Sequence, residues 1–218
     1  MKNLDQRNQI IEYSLKLNST NLSPLRSGNI SLRSEENGTK GYLITPSGKK
    51  YETLKPEDIV FLSLNEEAKD NISVNKASSE WRFHRDIYLN KRDAEAIVHA
   101  HSPHATAVSS HGKTIPPFHY MIALAGGEDI KCAEYATFGT EELSKNVINA
   151  LQDRSACLMS NHGQVAFGKD LDQAFELAQE IENICHQYTI ALKLGEPKIL
   201  SLKEMKKVLE KAKDYKKG

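Results

Sequence analysis

The sequence predicts an α/β fold in a single layered domain, with a mainly antiparallel or mixed central sheet and helices packed on its faces. Its length of 218 residues is ordinary for one domain. Short apolar runs typical of strands come first, and later strands mix with helices without the strict alternation that predicts a parallel sheet. No segment resembles a linker or an internal repeat. We therefore expect residues 1–218 to form one domain.

The N-terminal third predicts one helix followed by three strands. Apolar residues recur near helical spacing from Leu4 to Leu17, and the pattern breaks before Pro24. Three short apolar segments bounded by turn residues then predict strands at 30–32, 42–44 and 59–62. The first part of the chain thus supplies neighbouring strands of one sheet.

The middle of the chain predicts two helices around a further strand. Ser78 and Ser79 offer capping hydroxyls to the first helix. Residues 96–101 are β-like and stop at Ser102 and Pro103. A serine followed by proline is typical of a helix start, so another helix is expected there.

The last third predicts two strands and three helices. A helix begins near Thr140, and strands at 157–159 and 165–167 flank a turn. The longest helix begins at Asp170, where Gln173 completes a capping-box pattern, and ends at Gly195. A basic closing helix follows, capped by Ser201 with Glu204.

Charge and composition exclude several classes of protein. Lys and Arg total 29, as do Asp and Glu, so the zero net charge gives no sign of a nucleic-acid partner. No apolar stretch is long enough for a membrane span, and the charged N-terminus lacks a secretory signal pattern. Cys132, Cys157 and Cys185 are far apart and form no CxxC pair, which predicts small core residues in a reducing compartment. We expect a cytoplasmic protein.

His99 and His101 give the strongest chemical signal. They lie two residues apart in a predicted strand, so both imidazoles face the same side. Catalytic zinc sites use about three protein ligands and keep one position open. His162 is the best third candidate, because it lies in a turn where Gly163 allows a close backbone approach. The alternatives are a chance HxH pair and a turn histidine bonded to backbone.

Glu80 and several small polar turns suggest an anion site. Glu80 follows two serines at a helix start, where backbone N–H groups favour negative charge. It is either an ordinary first-turn carboxylate or a base turned toward a metal while the serines hold phosphate. The Gly-bearing turns at 27–29 and 45–48 are of the kind that binds phosphate through backbone amides. The other histidines are expected at the surface, in helices or in support of the ligands, with His104 and His119 the candidates for support.

Eight motifs, in this order, resemble the class II aldolase/adducin family. They are Gly28-Asn29, LITPSG at 43–48, SSEWRFH at 78–84, VHAH at 98–101, IPPFHYMI at 115–122, AGG at 125–127, YATFGT at 135–140 and NHG at 161–163. The resemblance covers nearly the whole chain.

The resemblance implies a set of site residues and an assembly. It implies one zinc ion per subunit on His99, His101 and His162, with Glu80 as the acid/base carboxylate that can also lie against the metal. The implied phosphate pocket consists of Gly28, Asn29, Ser47, Gly48, Ser78 and Ser79. The implied residues at the aldehyde end are Tyr120, which reaches into a neighbouring subunit's site, Phe138, and Tyr215 on a mobile C-terminal tail. The family forms fourfold-symmetric homotetramers with shared sites.

The resemblance also implies an activity. It implies reversible cleavage of a ketose 1-phosphate, of the L-fuculose 1-phosphate kind, to dihydroxyacetone phosphate and a small aldehyde such as L-lactaldehyde. A related aldolase for 5-deoxyribulose or 5-methylthioribulose 1-phosphate is the first alternative. A pentulose-5-phosphate 4-epimerase, which typically has Asp in place of Glu80, and a metal-free adducin-like assembly module are the others. Arg26 departs from the small uncharged residue expected beside the phosphate pocket.

Overall fold

The computed structural model describes residues 1–65 and 76–215, with the backbone alone for 213–215. Its strands are β1 (Asn29–Glu36), β2 (Thr39–Ile44), β3 (Val60–Ser63), β4 (Ala96–Ala100), β5 (Cys132–Ala133), β6 (Ala156–Met159) and β7 (Gly163–Gly168). They form one seven-stranded sheet in the order β3-β2-β1-β4-β7-β6-β5. The β5–β6 pair is parallel, and the other neighbouring pairs are antiparallel. The predicted mixed α/β sheet is confirmed.

Helices cover both faces of the sheet. The α-helices are α1 (Leu4–Ser19), α2 (Trp81–Asn90), α3 (Pro103–Ser109), α4 (Glu141–Ala150), α5 (Leu171–Leu194) and α6 (Leu202–Tyr215), and short 3₁₀ helices span Tyr51–Thr53, Pro56–Asp58 and Tyr120–Ala125. Apolar residues of α1, α3, α5 and α6 share one core with one face of the sheet. Those of α2 and α4 share a second core with the other face. The architecture is therefore three-layered.

The position of β4 determines which face carries the two strand histidines. All five of its residues are buried between β1 and β7. Because strand side chains alternate, Ala96 and Val98 enter the α1 and α5 core, while Ile97 packs with α2 and α4. His99 has the same parity as Ile97 and therefore faces α2, and the ring of Phe83 in α2 contacts it.

The helix starts follow the sequence pattern in most places. Ser102 is the N-cap of α3 and Pro103 its first residue. Asp170 accepts a 2.8 Å hydrogen bond from the N–H of Gln173, but the Gln173 side chain accepts from the N–H of Lys169, so only half of the capping box forms. The cap of α2 was predicted wrongly. Its N-cap is Glu80, and Ser78 Oγ accepts from the Glu80 N–H, just outside the helix.

The three cysteines lie in the core or pack against it. All three cysteines are free; Cys157 and Cys185 are buried and Cys132 is half-buried, in line with the core role predicted for them. The two-residue strand β5 was not predicted, because two residues are too few to show an alternating pattern. Within residues 1–65 and 76–215, no helix combines the length and the apolar character that crossing a bilayer requires.

Candidate metal centre

Three segments bring a histidine cluster together at one end of the sheet. His99 belongs to β4, His101 follows that strand directly, and His162 lies in the turn between β6 and β7. Glu80 joins them from the N-terminus of α2. One ligand atom from each of the four residues lies within 4.8 Å of all the others. The predicted HxH pair and the predicted third histidine therefore meet.

The donor atoms converge closely. His99 Nε2 lies 2.9 Å from His101 Nε2 and 3.0 Å from Glu80 Oε2. His162 Nε2 lies 3.1 Å from Glu80 Oε1. The three ring centroids are 4.8, 4.9 and 4.8 Å apart, and each pair of rings is close to perpendicular. This arrangement surrounds one point with three rings and a carboxylate.

The protonation of His99 follows from its outer partner. Its Nδ1 lies 2.8 Å from the backbone carbonyl oxygen of Gln164, which can only accept a hydrogen bond. Nδ1 therefore carries a proton, and Nε2 points into the cluster. Burial, together with the neighbouring His99 and His162 rings, lowers the pKa of His101 to about 3, so the His101 ring is neutral.

Glu80 supplies the negative charge. Burial favours its protonation, but the His99 and His162 rings outweigh burial and hold the pKa of Glu80 well below its ordinary value. Its buried Oε1 atom lies beside His162 Nε2 but accepts no well-formed hydrogen bond from the described residues. An unpartnered carboxylate oxygen beside converging imidazole nitrogens is the environment that a divalent cation completes. The four residues therefore fit a bound metal ion.

Gly163 allows the two strand ends to approach. A Cβ atom at this position would lie 2.4 Å from the carbonyl oxygen of Ala100 and 3.2 Å from the His101 ring. Asn161 turns the chain with a left-handed φ of 54° just before His162. The predicted role of glycine in this turn is confirmed.

An open cavity adjoins the cluster. Its volume is about 290 Å³, and its described lining residues are Ser27, Ser79, Glu80, His101, Tyr135, Ala136, Phe138, Asn161 and His162. Tyr135 and Phe138 are exposed aromatic residues. The described lining contains no lysine, so it offers no amine for a Schiff base. A small polar molecule could enter beside the cluster.

Three of the predicted phosphate residues are buried and are not among the described residues that line the cavity. Asn29 Nδ2 donates a 2.9 Å hydrogen bond to Glu80 Oε2. Ser78 is buried, and its hydroxyl bonds to the Glu80 N–H. A Cβ on Gly28 would lie 2.7 Å from the His99 carbonyl oxygen, so Gly28 lets β1 pack against the metal-site strand.

The other predicted residues are more scattered. Ser79 and Phe138 line the cavity, but Ser47 lines a different one of about 790 Å³, and its N–H donates to the Lys76 carbonyl oxygen. Gly48 is exposed in a left-handed turn with φ 69°. Tyr120 is 55% exposed on a 3₁₀ helix and is not among the described cavity residues. Tyr215 ends α6, and its side chain lies outside the described residues.

Sequence reasoning missed the partners of Glu80. His84 was grouped with several surface, helix or supporting histidines and was not singled out; it lies in α2, is fully buried and reaches Glu80 through Asn29. Of the two histidines expected to support the ligands, His104 pairs with Glu182 and His119 caps its own 3₁₀ helix. The signal for His84 was its spacing, four residues after Glu80 on one helix face.

Comparison with known proteins identifies the family of this chain. The family model described as Class II Aldolase and Adducin N-terminal domain matches residues 8–189. The chain belongs to this family. It is an aldehyde-lyase of the class II type, as its similarity to the aldolases below shows.

Several relatives match this class II aldolase over almost its whole length. A 5-methylthioribulose-1-phosphate/5-deoxyribulose-1-phosphate aldolase of Rhodospirillum rubrum is 43% identical over 209 residues, or 96% of this chain and 91% of that protein. An L-fuculose phosphate aldolase of Escherichia coli is also 43% identical, over 95% of this chain and 94% of that protein. A 5-deoxy-D-ribulose 1-phosphate aldolase of Bacillus thuringiensis is 38% identical, over 96% of each.

Solved structures agree with the fold. An L-fuculose 1-phosphate aldolase superimposes with a TM-score of 0.87 at 37% identity, covering 96% of each chain. An L-fuculose-1-phosphate aldolase from Thermus thermophilus superimposes with a TM-score of 0.73 at 27% identity, covering 89% of this class II aldolase and 98% of that chain. The three-layered architecture is therefore that of the family.

Proposed function

We propose that this protein is a zinc-dependent aldolase that reversibly cleaves a ketose 1-phosphate to dihydroxyacetone phosphate and a small aldehyde. The observation that carries the proposal is the convergence of three imidazole nitrogens and a buried carboxylate beside an open cavity. The names of the similar aldolases support a sugar 1-phosphate as substrate. Glu80, in place of the aspartate typical of the sister epimerases, supports aldol chemistry.

The aldehyde half of the substrate has two candidates. L-Fuculose 1-phosphate would release L-lactaldehyde, and 5-deoxyribulose or 5-methylthioribulose 1-phosphate would release a different aldehyde. The two kinds of relative are equally similar, at 43% identity. Both reactions share the dihydroxyacetone phosphate half, so the same cluster serves either. We put L-fuculose 1-phosphate first and the 5-deoxypentulose phosphates second.

Four residues would hold the metal. His99, His101 and His162 provide nitrogen ligands, and Glu80 provides an oxygen when no substrate is present. Three histidines with one further position are typical of catalytic zinc. When bound, zinc supplies a fixed positive charge that stabilises negative charge on the oxygens of the dihydroxyacetone phosphate half.

Glu80 and Tyr120 would divide the proton transfers. In the direction of aldol formation, the Glu80 carboxylate takes a proton from the hydroxymethyl carbon of dihydroxyacetone phosphate. Tyr120 of a neighbouring subunit donates its hydroxyl proton to the aldehyde oxygen as the new carbon–carbon bond forms. Cleavage reverses both transfers. The exposure of Tyr120 supports a role outside its own chain's cavity.

The phosphate would bind near the serines of the cavity. Ser27 and Ser79 line it, Asn29 and Ser78 bond to Glu80 from behind, and Gly28 packs against His99. Ser47 and Gly48 complete the proposed pocket. Phe138 and Tyr215 are proposed at the aldehyde end. Phosphate held here would orient the reacting carbons toward the cluster.

The proposed assembly is a homotetramer with shared sites in the cytoplasm. Tyr120, Tyr135 and Phe138 are between 55% and 65% exposed, and large exposed aromatic side chains are typical of protein interfaces. The balanced charge supports a small-molecule substrate and no nucleic-acid partner. The three free cysteines support a reducing compartment.

A panel of ketose phosphates tests the proposal. L-Fuculose 1-phosphate, 5-deoxyribulose 1-phosphate, 5-methylthioribulose 1-phosphate and unphosphorylated L-fuculose would each be assayed for the carbonyl product, as dihydroxyacetone phosphate or dihydroxyacetone. We expect release from at least one phosphate, loss of activity on chelation, and recovery with zinc or cobalt. Full activity in metal-free protein would overturn the metal assignment. Equal kcat/KM for L-fuculose and its phosphate would overturn the phosphate pocket.

A further inference from the structure

A row of buried polar side chains runs from the interior of α2 to the Glu80 carboxylate. Tyr88 Oη lies 2.8 Å from Ser31 Oγ, which lies 2.7 Å from His84 Nδ1. His84 Nε2 bonds to Asn29 Oδ1, and Asn29 Nδ2 reaches Glu80 Oε2. None of these five residues is more than 5% exposed. A hydrogen-bond network this deeply buried either orients the Glu80 carboxylate at its end or stabilises the packing of α2 on β1.

The network alternates between two elements. Asn29 and Ser31 are two residues apart on β1, so both side chains face α2. Glu80, His84 and Tyr88 follow one another at intervals of four residues along α2, so they share one helix face. The two rows interlock, and every contact joins the strand to the helix.

The chemistry of the groups gives every hydrogen bond one direction. The ionised Glu80 carboxylate accepts only, so it is the amide nitrogen of Asn29 that faces it, and the amide oxygen faces His84. His84 Nε2 must then carry a proton. Burial, with the His99 ring nearby, lowers the pKa of His84 to about 3, so the ring is neutral and Nδ1 accepts from the Ser31 hydroxyl. Ser31 in turn accepts from Tyr88.

The direction of these hydrogen bonds fixes the orientation of the Asn29 amide. A flipped amide would place its oxygen against the Glu80 carboxylate, so two acceptors would meet. It would also place its nitrogen against the Nε2 proton of His84, so two donors would meet. With the amide fixed, Oε2 of Glu80 is held, while Oε1 faces His162 and accepts no well-formed hydrogen bond from the described residues. One oxygen of the carboxylate is therefore anchored and the other stays available.

We propose that His84 is a positioning residue for the aldol reaction: through Asn29 it fixes the Glu80 carboxylate in the orientation that proton transfer requires. The inference rests on the proposed function of Glu80. His84 is not among the described residues that line the cavity, so it acts on the reacting atoms only through its neighbours. Groups that orient a site from behind in this way typically change activity by about 10- to 100-fold when removed.

Two neutral replacements of His84 separate positioning from packing. In His84→Gln the terminal amide nitrogen has the same reach along the side chain as Nε2, so it can still donate to Asn29. In His84→Asn the amide reaches only as far as Nδ1, and the donor to Asn29 is lost. Both variants remove the ring, and both remain uncharged.

We expect the two variants to differ in kcat and not in KM. His84→Gln should keep kcat within about five-fold of the wild-type value, and His84→Asn should lower it about 10- to 100-fold. KM for the ketose 1-phosphate should change less than about three-fold in both, because His84 does not contact the cavity. Zinc content and thermal midpoints, measured on the same samples, should be equal between the variants.

The outcomes distinguish this inference from the proposed function. A wild-type enzyme without metal-dependent cleavage of any ketose 1-phosphate would overturn the proposed function. An active wild type with equal kcat in both variants would overturn the positioning role alone, as would a loss that tracks the thermal midpoint.

If the histidine variants fail to fold, a second measurement still tests the proposal. The ¹⁵N signals of the His84 ring in the wild-type enzyme should show the Nε2–H tautomer. Ser31→Ala should lower kcat about three- to ten-fold with KM unchanged, because Nδ1 then loses its hydrogen-bond donor and the ring is held by Asn29 alone. An Nδ1–H tautomer in the wild type, or unaltered kcat in Ser31→Ala, would contradict the proposal.

Discussion

Glu80 contacts the histidine cluster, the buried network and the cavity at once, so its chemical role can be isolated by a change that preserves its shape. Glu80→Gln removes the charge and leaves three histidines to bind metal. We expect zinc content to remain near one per chain. We expect cleavage, and exchange of the dihydroxyacetone phosphate proton with solvent, to fall about 10²- to 10⁴-fold because the proposed general acid/base is lost.

The control for this change is Glu12→Gln, the same substitution on the exposed face of α1. It should leave cleavage and proton exchange unaltered. Solvent deuterium incorporation into dihydroxyacetone phosphate, followed by NMR, measures the exchange. Exchange at the wild-type rate in Glu80→Gln would show that another group moves the proton.

Gly163 is the second residue where one atom decides the geometry. In Gly163→Ala the new methyl group would meet the Ala100 carbonyl oxygen and the His101 ring, so the strand ends must separate. We expect the free energy of unfolding to fall by roughly 1–3 kcal/mol and zinc affinity to weaken at least ten-fold. Urea titration and competition with a zinc chelator measure the two quantities.

Gly38→Ala separates the metal effect from a general loss of stability. Gly38 lies in a left-handed turn with φ 77°, and a Cβ there would meet nothing within 4 Å. Its replacement should lower stability by about 1 kcal/mol through backbone strain alone and leave zinc affinity unaltered. If both glycine variants weaken zinc binding equally, the close contact at Gly163 is not what shapes the site.

The N-terminus of α5 is capped by one side chain, that of Asp170. Asp170 accepts the Gln173 N–H at 2.8 Å, and α5 packs against β7 and β4 from there onward. Asp170→Ala should lower the free energy of unfolding by about 1 kcal/mol, while Asp170→Asn, which can still cap, should stay close to wild type. Urea denaturation of the three proteins tests this, and equal losses in both variants would show that charge and not capping matters.

The sequence predicts those features that depend on residues close together in the chain. His99 and His101 show their common face through strand alternation, and the turn at 161–163 shows itself between two apolar runs. The partners of Glu80 were missed because β1 and α2 meet only in the folded chain, where Asn29 and His84 come within hydrogen-bond distance. The family resemblance implies a phosphate role for Asn29, and the folded chain shows in addition that its amide bonds to Glu80 and His84.

At the scale of the whole molecule, the proposed shared site predicts complementation between defective subunits. Tyr120→Phe should depress cleavage and leave proton exchange into dihydroxyacetone phosphate largely intact, because the proposed role of Tyr120 is confined to the aldehyde oxygen. Mixing it with Glu80→Gln subunits should rebuild some complete sites, since each variant supplies what the other lacks. Cleavage by mixed assemblies, after subunit exchange is verified by mass spectrometry, measures the recovery.

The mixing experiment has its own control. Each variant should be taken through the same exchange procedure alone, and neither should gain activity. Verified exchange without recovery would place Tyr120 and Glu80 in the same chain's site or remove one of them from the mechanism.

The sheet order also decides when during folding the enzyme can acquire its metal. Asn29 and Val165 lie opposite His99 on the two strands beside β4, although more than half the chain separates them. Pairings between such distant segments form late, because a long loop must close first. Zinc should therefore enter after most helical signal has returned, which refolding with parallel circular dichroism and a zinc-sensitive dye would measure. The time of metal uptake would then report when the pairing of β1 and β7 with β4 is complete.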